Sequence, residues 1–105
     1  MSEYTPDRWV LLEITHKERD PVRKVFAGWY GGFAGSDSWK LNSGVTNVRV
    51  DDKHYEFDGY SGSTYHCHAN SYGMSGYMAS VLAGWREKAP GTQVEIIDLE
   101  TIVAV

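Results

Sequence analysis

Along residues 8–16, RWVLLEITH, apolar and polar positions alternate so that Trp9, Leu11 and Glu13 face one way and Val10, Leu12 and Ile14 the other. That alternation predicts a β-strand, buried mostly on one face. The charged KERDPVR that follows contains Pro21 and reads as a hairpin connection into a second strand, RKVFAGWY, with Val25, Ala27 and Trp29 on one side and Phe26 and Tyr30 on the other. GGFAGSDS is too rich in Gly and Ser to continue a ladder and reads as a loop. WKL then offers a short strand and NSG a turn. VTNVRV passes through DDK into HYEFDGY as a hairpin that sets Val48 and Val50 opposite Tyr55 and Phe57, and a further strand follows over residues 63–68.

Past residue 70 the period changes. Met74, Tyr77, Met78, Val81, Leu82 and Trp85 recur at i, i+3, i+4, i+7, i+8 and i+11, one face of an amphipathic helix. Asn70, Ser71 and Ser75 are candidate caps, and Pro90 with Gly91 ends the helix. Gly76 and Gly84 inside it cost roughly 1 kcal/mol each against alanine, a cost that close packing against the sheet or a second subunit would offset. TQVEII and LETIVAV read as one or two closing strands. The expected fold class is α+β: a single domain over residues 1–105, with residues 1–6 loosely held. It has a curved antiparallel sheet of about six or seven strands and one helix over about residues 72–88.

Composition supports a folded domain. The chain has 105 residues, 42% hydrophobic and 23% charged, within the range of ordinary globular proteins. A formal charge of −4 argues against direct nucleic-acid binding through phosphate neutralisation and favours a basic partner. The single cysteine, Cys67, excludes an internal disulfide and fits a reducing compartment. MSEYTPDRW lacks an apolar leader core, and no apolar run reaches the length of a membrane span, so a cytoplasmic location is expected.

Candidate chemistry concentrates in GYSGSTYHCHANSYG, residues 59–73. His66 and His68, two apart on a strand, project from one face with Cys67 on the other. The pair could chelate a divalent ion if His16, His54, Glu56 or Asp58 supplied a third ligand; otherwise the histidines make hydrogen bonds in a polar patch. GYSGS resembles a nucleophile elbow but has Ser63 where its last glycine belongs, and it lies among antiparallel strands, so Ser61 and Ser63 read as turn residues. GGFAGSDSWKLNSG matches it in character. Together the two stretches could shape a pocket for a nucleotide-like ligand, although established nucleotide motifs are absent. Aromatics in or beside loops, among them Trp29, Tyr30, Phe33, Trp39, Tyr55, Tyr60, Tyr65 and Tyr72, suit either a protein interface or a small core.

WYGGFAGSDSWKLNSGV followed by GYSGSTYHCHANSYGMSGYMASVL resembles short orphan proteins encoded by phages and prophages, over roughly residues 8–85. That resemblance implies an accessory role in an infected cell: a non-enzymatic, anti-CRISPR-like inhibitor that binds a host defence protein. Trp39, Tyr60, Tyr65 and Tyr72 would anchor the partner, with Ser61, Ser63, His66 and His68 beside them. Asp37, Asp51, Asp52 and Asp58 would face its basic surface. No catalytic residue, cofactor or bound metal is assigned in this reading. The alternatives are a small-molecule binder built on the same loops and a metal-dependent enzyme using His66 and His68. The glycines and small size lean toward a homodimer.

Overall fold

The computed structural model describes residues 2–31 and 36–103. Phe33 lies outside them. The fold is α+β, with eight strands and one α-helix among the described residues, in the order β1 (Glu3–Tyr4), β2 (Arg8–His16), β3 (Val22–Trp29), β4 (Ser38–Leu41), β5 (Val45–Asp51), β6 (His54–Gly59), β7 (Thr64–His68), α1 (Gly76–Lys88) and β8 (Thr92–Ile96). Instead of one curved sheet the strands form two, each of four: β1-β7-β6-β5 and β4-β3-β2-β8. Neighbours are antiparallel except β1 and β7, which run parallel. None of the described helices is long and apolar enough to cross a membrane.

The second sheet is covered on both faces, and β2 shows why. Trp9 and Leu11 enter a core between the two sheets, with Val25 and Ala27 of β3 and Val48, Phe57, Tyr65 and Cys67 from the facing sheet. Val10 and Leu12 enter a second core with Phe26, Met78 and Leu82, beneath α1. The expectation of one buried face is therefore corrected: WVLL is apolar at successive positions because each face has its own cover. The layers are sheet, sheet and helix.

Ser75 caps α1, its hydroxyl accepting from the Met78 amide at 3.2 Å. The helix lies close to β3 at Gly28, where a Cβ would fall 2.4 Å from the Met78 sulfur. Gly76 and Gly84 do not serve such contacts, since a Cβ at either meets nothing within 4 Å. The ends of the chain also differ from expectation. Glu3 and Tyr4 pair with Thr64 and Tyr65 rather than hanging loose. The described part of LETIVAV, residues 99–103, forms no strand: Leu99–Thr101 make a 3₁₀ turn, and Ile102 plugs the inter-sheet core at 5% exposure.

Trp9 ties the layers together. It is fully buried, its ring packs against Tyr55, Phe57 and Tyr72, and its indole nitrogen donates to the His68 carbonyl at 2.7 Å. Just beyond β7, the Gly73 amide returns a bond to the Trp9 carbonyl at 2.8 Å. Truncating Trp9→Ala removes this packing and the indole's hydrogen bond to the His68 carbonyl, at an expected cost of about 3–5 kcal/mol. Urea denaturation should show the loss as a lower midpoint with a similar slope.

Candidate functional site

Inward apolar residues on β5, β6 and β7 alternate with outward polar ones, so the outer face of the first sheet gathers a dense set of titratable groups. Register arranges it in rows. Asn47, Asp58, Thr64 and Glu3 lie across the strands in one row, Arg49, Glu56 and His66 in the next, and Asp51, His54 and His68 in the third. The turn between β5 and β6 is tight, with Asp52 at φ +54, a region that Asp tolerates.

His66 and His68 do share this face, as the alternation predicts, but they are not paired to each other. His68 turns its Nδ1 to accept the Asn70 amide at 3.2 Å and caps the 3₁₀ turn Ala69–Ser71. The cluster that forms is His54, Glu56 and His66, with one ligand atom from each within 4.8 Å of the others. Glu56 stands between the imidazoles, Oε2 at 3.6 Å from His54 Nε2 and Oε1 at 3.9 Å from His66 Nδ1. The far nitrogen of His66, Nε2, lies 2.7 Å from Glu3 Oε1 on β1. Cys67 takes no part: it faces the core, where burial pushes its thiol pKa up and keeps it protonated.

Beside the cluster is an arginine clamp. Arg49 meets Asp58 in a two-pronged contact, Nη1 to Oδ2 at 2.6 Å and Nη2 to Oδ1 at 3.1 Å, and reaches Glu56 Oε1 at 3.2 Å. Thr64 Oγ1 donates to Asp58 Oδ1 at 2.8 Å. These donors hold the Asp58 pKa down to about 2, the Arg49 bond first and the Thr64 bond second. Asp58 is therefore engaged within the sheet. Sequence reasoning passed over Arg49 and Glu3. Arg49 was legible, because a two-residue turn at Asp52–Lys53 sets it opposite Glu56; Glu3 had no local signal.

The expected aromatic anchors separate. Tyr65 is corrected from anchor to core residue: it is 3% exposed, packs 5.1 Å from Tyr4, and burial raises its pKa to about 12. The alternation that sends His66 outward sends Tyr65 inward. Tyr72 is also structural, its hydroxyl donating to the Ile97 carbonyl and accepting from the Leu11 amide. Trp39 and Tyr60 remain at the surface, 37% and 76% exposed. Trp39, on β4, leans edge-on against Trp85 at 5.1 Å and Phe26 at 5.9 Å. Tyr60 lies in the β6–β7 turn against Gly44, whose φ is +132 and where a Cβ would fall 2.8 Å from the ring.

Among the described residues, the two Gly/Ser segments meet at Ser43 and Ser61. Ser43 Oγ accepts the Ser61 amide at 2.9 Å and meets Ser61 Oγ at 3.2 Å. Ser63 closes the turn through its carbonyl, which accepts the Gly59 amide at 2.9 Å. Asp37 accepts the Gly31 amide at 3.0 Å. A cleft of about 300 Å³ opens at the edge between the sheets, over Leu11, Val45, Val48 and Ile102, with the Glu13–Arg23 ion pair at its rim.

Because the folded Asp58 pKa lies below its ordinary value of 3.8, its contribution to stability is present above that value and lost as pH falls toward 2. Urea midpoints taken across that range should fall further for the wild type than for Asp58→Asn, with the two converging at the acid end.

No protein-family model, curated protein or solved structure matches the chain.

Proposed function

We propose that the chain is a small non-enzymatic binding protein, a phage-type inhibitor of a host defence system, that docks on a protein partner through the β4 edge and the adjoining flank of α1. The observation that carries this reading is Trp39. It is a large aromatic left 37% exposed on an edge strand, set edge-on against a second tryptophan.

Two features support the surface around it. Tyr77, Val81 and Trp85 follow one another at i, i+4 and i+8 along α1, so Tyr77, 42% exposed, extends the flank on which Trp85 meets Trp39. β4 is the last strand of its sheet, and its outward backbone groups suit strand addition by a partner. Tryptophan and tyrosine bury much area at little entropic cost and dominate interface energetics. The net charge of −4 favours a basic partner. The phage and host-defence part of the proposal draws on the resemblance of the two Gly/Ser-rich stretches to phage orphan proteins.

A second reading has its own observation, the 300 Å³ cleft between the sheets. Its apolar floor and charged rim suit a small amphipathic ligand, at the low end of ligand-pocket volumes. Native mass spectrometry of gently purified protein would show such a ligand as added mass.

Trp39→Ala is expected to weaken capture of the partner from host lysate by about 30-fold or more, the scale of an interface hot spot, while the circular dichroism spectrum is retained. Tyr65→Phe, a change inside the core, should leave capture unchanged. Full capture by a folded Trp39→Ala protein would contradict the assignment of this surface.

A further inference from the structure

We propose that His54, Glu56 and His66 form a binding site for a divalent transition-metal ion of the zinc type on the outer face of the β1-β7-β6-β5 sheet, with Glu3 as its positioning residue. The site stands apart from the β4 surface and does not depend on the protein-binding reading.

The donor set is the first argument. Two imidazoles and a carboxylate are the ligands that zinc and similar borderline ions prefer, and three protein ligands on an open face leave the solvent side to water. Geometry is the second. Zinc bonds of about 2.0–2.1 Å at tetrahedral angles place ligand atoms about 3.4 Å apart. Glu56 Oε2 already lies 3.6 Å from His54 Nε2, and Glu56 Oε1 lies 3.9 Å from His66 Nδ1. The third pair, His54 with His66, lies within 4.8 Å, so rotation of the two imidazoles has to bring their ligand atoms closer. His54 and Glu56 alternate on β6 and His66 sits opposite Glu56 on β7, so the sheet ladder itself holds the three together. The rings of His54 and His66 lie 5.7 Å apart, tilted by 34°.

The support of His66 is the third argument and an independent one. Glu3 Oε1 lies 2.7 Å from His66 Nε2, the nitrogen turned away from Glu56. A carboxylate there accepts the Nε2 proton, which selects the tautomer whose bare Nδ1 faces Glu56. This is the carboxylate–histidine pairing that orients metal-bound imidazoles and raises their basicity. Arg49 engages one oxygen of Glu56 and not the other. Its guanidinium is held by both oxygens of Asp58 and touches Glu56 only at Oε1, so Oε2 stays directed at His54.

The first test is titration of tag-free, full-length protein with zinc chloride by isothermal calorimetry, alongside ¹⁵N spectra of the histidine rings. The expected result is one zinc per chain, with the His54 Nε2 and His66 Nδ1 resonances shifted and those of His16 and His68 unmoved. His68→Ala should bind as the wild type does, and His66→Ala should lose stoichiometric binding while keeping its circular dichroism spectrum. Glu3→Ala should bind about 10–100-fold more weakly, and Glu3→Gln, whose side-chain carbonyl still accepts the Nε2 proton, should recover much of that loss. The ring spectra read the site on wild-type protein, so the test does not depend on any variant folding. Absence of stoichiometric zinc, or a shift at His68 in place of His66, would overturn the proposal.

Discussion

Everything in this fold depends on a strand that is buried on both sides. β2 is paired with β3 along one edge and β8 along the other, and its two faces feed separate cores. Sandwiching such a strand between a second sheet and a helix satisfies its backbone through two ladders and its side chains through two apolar layers. The indole of Trp9 then fixes the spacing, because its hydrogen bond to the His68 carbonyl ties the central strand to the end of β7. Tyr72, bonded to the Ile97 carbonyl, closes the same junction from the other side. A 105-residue chain thereby builds two cores without a disulfide.

This arrangement determines where chemistry can sit. The β4-β3-β2-β8 sheet packs one face on the other sheet and the other on α1, and at its β4 edge Trp39 and Trp85 meet. The other sheet has an unshielded face, and the polar half of each of its strands must point outward. Cross-strand register converts that requirement into contacts: Arg49 opposite Glu56 opposite His66, with Asp58 and Glu3 alongside. The β1 strand, only two residues long, acquires a role beyond its small area because Glu3 reaches His66 from it. The junction at residues 69–73 is structural, and the functional candidates lie on either side of it.

Much of this was legible in the residues. The strand runs, the β5–β6 pairing of Val48 with Phe57 and Val50 with Tyr55, the helix and its Ser75 cap follow from period and turn chemistry. The second covered face of β2 did not, because Val10 and Leu12 are as apolar as Trp9 and Leu11 and alternation says nothing about how many layers will form. β-Branched residues made the C-terminal LETIVAV resemble a strand, whereas the core needed one plug, Ile102. The outward direction of His66 and His68 was readable, but the partners were not. They depend on the β6–β7 register, which sets Glu56 beside His66, and on a parallel contact from β1 more than fifty residues away in sequence. Tyr65 was misjudged as an anchor for want of the same knowledge, namely which side of β7 the second sheet would cover.

The dependence of the whole on β2 is open to direct measurement by native-state hydrogen exchange. The amides of Val10, Leu11 and Leu12 should be among the slowest in the chain and should exchange only through global unfolding, with the denaturant dependence of the complete transition. If these amides exchange by local opening while those of β6 and β7 persist, the outer sheet is the stable nucleus and the central claim is wrong.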